Sequence, residues 1–319
     1  MSLVSPGASG NRTGNVAPAS AAAPAAGSAR FARALQYAAF PIAVFLIWQG
    51  SIELGLLRRN VLPPPLEVMA VWYDLLTGAT ASASRYSGTW WDHAFSSVWR
   101  VFVGFAWGTG LGLVMGLLIG LSRVFERMFD PTVQVLRNIP VTAWVPLSLV
   151  FFGIGNAPAI FLIGLGAFFP TAINTTHGVR QINRTLYKAA RMMGADEREM
   201  LTRVILPGAL PSVFTGVRLS MGIAWVLVVV AEILAVRSGL GYLLNDAYQF
   251  YRNDVVIAAM LSIGILGYLS DWMVVLVRDR VLEIGCVEGP FRANLDGPCE
   301  YVGVEPSPTA AGVDRKSVV

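Results

Sequence analysis

Apolar residues run along this chain in blocks too long for a soluble core. A helix needs about 20 mostly apolar residues to cross the hydrocarbon of a bilayer. Six blocks qualify: Gln36 to Leu57, Ala94 to Leu121, Thr132 to Gly153, Ala157 to Thr176, Ala209 to Val236 and Val255 to Val277. Backbone groups in lipid must bond within their own segment, and the blocks are far longer than barrel strands. The pattern therefore predicts an all-α membrane protein with about six transmembrane helices. Between the first two blocks, Leu62-Pro63-Pro64-Pro65 holds the chain extended. Leu66 to Leu76 then has the apolar spacing of a short helix lying on the membrane surface. Trp90 and Trp91 stand just before the second block, where an interfacial aromatic belt is expected.

Composition agrees with this pattern. Of 319 residues, 55% are hydrophobic and 14% charged, against roughly 25% charged in soluble domains. The net charge of +4 is too small to argue for a nucleic-acid partner. Placement says more. Arg30 and Arg33, Arg123 and Arg127, the run Arg180, Arg184, Lys188, Arg191, Arg198 and Arg203, and Arg278 with Arg280 all fall on one side of the six blocks. That side is predicted to be cytoplasmic, with both termini inside. Residues 1–33 read as a disordered cytoplasmic tail and not as a cleaved signal peptide. Residues 34–282 read as the transmembrane domain, with a large loop at about 177–207, and residues 283–319 as a polar tail.

Few residues offer chemistry. Cys286 and Cys299 match no zinc spacing, and His93 and His177 stand alone in sequence, so no metal site and no catalytic residue is expected. Lys188 and Lys316 lie outside any phosphate-cradling Gly-rich loop, so the chain is expected to bind no ATP itself.

Three features carry information about packing and function. Gly104, Gly108, Gly112, Gly116 and Gly120 line one side of the second block and invite a close helix neighbour, in this subunit or in a second copy. Arg100, Arg137, Arg218, Glu232 and Asp271 lie inside the blocks. Arg100, Arg218 and Asp271 sit near block ends and are expected to snorkel to the surface. Arg137, Asn138, Thr142, Trp144, Asn174 and Glu232 are candidates for lining a pathway, helped by Pro140 and Pro146, which loosen the third block's hydrogen-bond ladder. The loop from His177 to Pro207 reads as two short helices. Tyr187 to Met193 forms the first, Gly194 stops it, and Asp196, Glu197 and Glu199 open the second. Its apolar face would be Ala189, Met192, Met193, Met200, Leu201 and Val204, and Pro207 and Pro211 would mark entry to the fifth block.

That loop resembles the cytoplasmic signature of ABC importer permeases. Ala189-Ala190, three residues, Gly194, nine residues and Val204-Ile205-Leu206-Pro207 keep the family's spacing; Lys188 stands where Glu is usual and Val204 where Ile is usual. The segments 164–170, 174–180, Thr215-Gly216-Val217-Arg218 and Ser238-Gly239-Leu240-Gly241-Tyr242 are similar to the nitrate/sulfonate/taurine branch, as is Leu62-Pro63-Pro64-Pro65. The resemblance covers about Gln36 to Leu282. It implies a type I importer fold, in which a second permease copy, most simply a homodimer, shares the pathway. Two ATPase subunits would bind ATP and Mg, and an external substrate-binding protein would deliver a small anion of the sulfonate, taurine, nitrate or bicarbonate class. Lys188, Ala189, Ala190, Gly194, Val204, Leu206 and Pro207 would dock the ATPase, in a bacterial cytoplasmic membrane.

Two rival classes make different demands. A stand-alone ion-coupled carrier calls for inverted repeats with paired broken helices, and no such repeat is visible. An intramembrane enzyme calls for a nucleophile–base pair or metal ligands within the spans, and no such pair stands out.

Overall fold

The computed structural model describes residues 26–59, 61–79 and 84–287, with side chains for all of these except 26–38, 184 and 283–287. The segment before Ala26, Cys299 and the tail after Val287 lie outside it, as does the Cys286 side chain. The chain divides into two units between Leu57 and Arg58. The first holds α1 (Ala26–Glu53), which carries an apolar stretch at Ala39–Glu53.

Among the described residues of the second unit every regular element is a helix. They are α2 (Pro65–Thr77), α3 (Trp90–Leu121), α4 (Arg123–Leu136), a 3-10 turn (Val141–Trp144), α5 (Val145–Phe152), α6 (Asn156–Arg180) and α7 (Arg184–Met192). There follow α8 (Glu197–Glu199), a π turn (Met200–Ile205), α9 (Leu206–Ala235), α10 (Leu240–Gln249) and α11 (Asn253–Val287). The short helix expected at Leu66 to Leu76 is α2. Pro65 opens it, where its missing N–H costs nothing, and Gly78, at φ 70°, closes it.

The glycine ladder sets the centre of the bundle, and its neighbour lies within this subunit. A Cβ on Gly104 would meet Ile163 at 2.7 Å, one on Gly112 the Phe168 carbonyl at 2.7 Å and one on Gly120 Val179 at 2.8 Å; at Gly108 it would strike the backbone of Gly164. The contacts advance along α3 and α6 in the same direction, so the two helices are parallel. Thr176 Oγ1 donates to the Gly116 carbonyl at 3.1 Å across the seam. α9 runs antiparallel on the other side of α6, where Gly216 lies against Asn174 and the Pro170 carbonyl. Ser220 bonds Thr171 Oγ1 at 2.9 Å and the Ala167 carbonyl at 2.8 Å.

Parallel packing of α3 and α6 requires the chain to travel back between them. α4, the 3-10 turn and α5 make that return. The third block, expected as one helix from Thr132 to Gly153, is broken instead: α4 and α5 meet at 89°. Asn138 and Ile139 end the first helix, and Pro140 supplies no N–H to continue it. α4 packs one stripe, Phe129, Val133 and Leu136, against Ile119, Phe168 and Phe169. α5 packs on the other half of α6 through Val145, Ala159 and Leu162. Among the described residues, four helices are long and apolar enough to span a membrane, or five with the broken pair, where the sequence suggested six.

Two further expectations are corrected. The loop's second helix is not a short one ending before Pro207: one helical run of 39 residues extends from Glu197 to Ala235, with a π turn just before Pro207. Nor does Arg100 reach the surface. Arg218 on α9 grips Asp271 on α11 in a forked pair at 2.9 Å, and Arg100 is buried at 3% exposure.

Candidate docking loop, broken span and buried ion pair

The residues singled out by sequence fall into three separate places, with Asn174 apart from all of them. The first is the loop between α6 and α9. Asn183 caps α7 by accepting the Thr185 N–H at 2.8 Å. Gly194 reverses the chain at φ +86°, a left-handed conformation with open space where a Cβ would be. Asp196 then accepts the Glu199 N–H at 2.6 Å and starts the long helix. Ala190, Met200 and Val204 form a buried cluster with Ala195 and Ile205 half-covered beside it. Ala189 is half-buried, whereas Lys188, Met192, Met193 and Leu206 are exposed. The apolar face expected from sequence is thus split: Met200 and Val204 hold the loop together, and Met192 and Met193 project from it. Pro207 sits at the start of α9, half-buried.

The second place is the break. Arg137, Asn138, Thr142 and Trp144 come together there, between the two halves of the return segment. Arg137 and Thr142 are exposed, and Arg137 makes no ion pair among the described residues. Asn138 donates to the Gln134 carbonyl at 2.6 Å. Trp144 packs beside Val145 and Ala159, and its indole N–H is buried without a partner among the described residues. Asn174 lies apart, in the α6–α9 seam, where it donates to the Pro170 carbonyl at 2.8 Å.

Glu232 belongs to neither place. It is fully buried, and its carboxylate accepts from Arg100 at 2.6 Å, from the Ser97 hydroxyl at 2.8 Å and from the Gly241 N–H at 2.9 Å. Its carboxylate is shut off from solvent in this conformation. Arg100 also donates to Asn156 Oδ1 at 2.8 Å, to the Ser238 carbonyl at 2.9 Å and to the Ser238 hydroxyl. Leu240 N–H donates to Ser97 at 2.8 Å, and Gly239 N–H to His93 Nδ1 at 3.1 Å. The Ser238–Tyr242 segment is therefore a cap wrapped over the pair. Its glycines have a steric reason: a Cβ on Gly239, at φ +109°, would overlap the Glu232 carboxylate. Sequence reasoning missed Ser97, Asn156 and Ser238. The available signal was one acid and one base in separate apolar spans, which in lipid seek each other.

A model of the binding-protein-dependent transport system inner membrane components matches residues 108–283. The chain belongs to that family. Three permeases similar to it have related names. The aliphatic sulfonates transport permease protein SsuC of Bacillus subtilis is 37% identical over 243 residues, 76% of this chain and 85% of the relative. The taurine transport system permease protein TauC of Escherichia coli is 34% identical, covering 72% of this chain and 82% of the relative. The nitrate import permease protein NrtB of Leptolyngbya laminosa is 33% identical, covering 75% and 85%. Among solved structures, a chain of the inward-facing MetNI methionine ABC transporter superposes with a TM-score of 0.51 at 23% identity, over 60% of this chain and 93% of that one. The fold is that of a type I ABC importer permease, and the protein crosses a membrane several times.

Proposed function

We propose that this chain is the permease subunit of an ATP-binding-cassette importer for a small anion of the sulfonate, taurine, nitrate or bicarbonate class. The observation that carries the reading is the folded loop: a capped helix, a left-handed glycine, and a second cap opening directly into a 39-residue helix. Such a loop is built to be pushed. A force on α7 reaches Glu197 through the Ala190–Met200–Val204 cluster and passes along α9 into the bundle. A mere connector has no need of that construction.

The sulfonate, taurine and nitrate permeases similar to this chain support the anion class. The loop end also carries Arg123, Arg127 and Arg278, which supports a cytoplasmic side in a bacterial inner membrane. A separate ATPase pair would bind ATP and Mg there, a second copy of this chain would complete the pathway, and a binding protein would dock at the opposite end. ATP-driven closure of the ATPase pair favours one orientation of the bundle over the other, a population shift set by differential nucleotide affinity. At the break, Arg137 supplies a cation with no ion pair among the described residues and Thr142 a hydroxyl, both suited to an anion in passage.

Gly194→Arg puts a bulky side chain at a left-handed position of the loop. Co-purification of the ATPase and ATP-driven uptake should both be lost; if both stay intact, the docking role is wrong. Affinities of the purified binding protein for taurine, alkanesulfonates, nitrate and bicarbonate then choose the substrate.

A further inference from the structure

The docking loop has a charge pattern of its own. All three of its acids are engaged within it. Glu199 pairs with Arg203 at 3.3 Å, Glu197 lies 3.9 Å from Arg191, and Asp196 caps the helix start. Lys188 and Arg198 are exposed and have no partner among the described residues. Lys188 and Met192 stand one turn apart on α7, so they share a face. Met192 is 83% exposed and Met193 69%, on a helix whose other side is anchored by Ala190. Leu186 and Tyr187, about one-third exposed, lie alongside, with Arg191 over the Tyr187 ring at 5.7 Å.

An exposed methionine on a braced helix, with an unpaired cation next to it, is the pattern of an interface core with a charged rim. The flexible thioether fills an irregular apolar socket, and the rim charge selects the partner that answers it. Nothing among the described residues answers Lys188. The answer has to come from the surface that covers α7.

We infer that the ATPase surface receiving α7 is an apolar socket for Met192 with a carboxylate opposite Lys188. The inference rests on the docking reading above and adds the chemistry of the partner's side. It also gives the lysine a role: where an acid at this position calls for a basic partner, this chain calls for an acidic one.

The test uses the full-length permease in detergent micelles and its cognate ATPase, with binding measured at low and at moderate salt. Lys188→Ala is expected to weaken binding about 3-fold and Lys188→Glu at least 10-fold, since an added like charge repels where a lost charge only fails to attract. Salt should narrow the gap between the two variants. Met192→Ala should weaken binding at either salt level. Lys188 is exposed, so its variants fold as the parent does, and thermal denaturation checks this. Parent protein that binds the ATPase while Lys188→Glu binds it equally or more tightly overturns the carboxylate. Parent protein that fails to bind overturns the docking reading itself. If Lys188→Glu spares ATPase binding but lowers retention on phosphatidylglycerol vesicles, the lysine faces lipid headgroups and the inference is wrong.

Discussion

The two ends of α9 treat charge in opposite ways. At the Ser238 end, Arg100 and Glu232 are buried, and each is answered by several partners from within the chain. At the loop end, Lys188 and Arg198 stand in the open without partners among the described residues. A charge surrounded by satisfied donors and acceptors holds parts together, because separating them exposes an unpaired ion. A charge left unanswered on a braced surface is available to another molecule. Burial and exposure thus divide one helix into a clamp and a handle.

Glu232→Ala is the strongest way to break this contrast. It leaves the Arg100 guanidinium buried without its counter-ion, and we expect a loss of about 3–5 kcal/mol, read as a lowered denaturation midpoint in detergent. Replacing both, Arg100→Met with Glu232→Leu, should recover most of it; a double variant as unstable as the single one would deny the pairing. Gly108→Val comes next. Its side chain strikes the Gly164 backbone and forces α3 from α6, at about 1–3 kcal/mol, with the bundle and not the loop responding.

At the other end the expected costs are smaller and of a different kind. Gly194→Ala meets no atom, so only the left-handed backbone is strained, by roughly 1–2 kcal/mol. ATPase affinity should fall several-fold while the denaturation midpoint of the bundle hardly moves. Equal damage to both would erase the distinction between clamp and handle.

The smallest effect sharpens the clamp end. Burial, and then its hydrogen bond to Asp246 at 2.9 Å, push the Tyr86 hydroxyl from 10.0 up to about 12. The folded state favours the protonated phenol, so its contribution is complete below about pH 10 and is lost as pH rises through 12. Tyr86→Phe should cost about 1 kcal/mol at neutral pH and flatten the stability curve over that window.

Much of this was legible in the residues. The spans show as apolar runs, the ladder as a packing face, and the loop as a helix stopped by Gly194 and restarted at Asp196. What stayed hidden depended on distance along the chain. The partner of Arg100 lies 132 residues away, and no local period points to it. The ladder could not name its neighbour because parallel packing of α3 on α6 depends on a return segment between them. Pro140 hinted at the break in that segment but not at its 89° turn. Pro207 misled for a local reason: a proline usually starts or ends a helix, and here a π turn carries the helix past it.

The long separation between Arg100 and Glu232 also has a history, written at every round of synthesis. α3 enters the membrane well before the ribosome has made α9, so a newly inserted arginine waits in a low-dielectric setting for its counter-charge. Ser97 is already beside it on the same helix and Asn156 arrives with α6, but the carboxylate comes last. The half-made protein is therefore most open to surveillance proteases between those events. A chain truncated just before Glu232 should be degraded faster than one truncated just after Tyr242, although the two differ by barely more than ten residues.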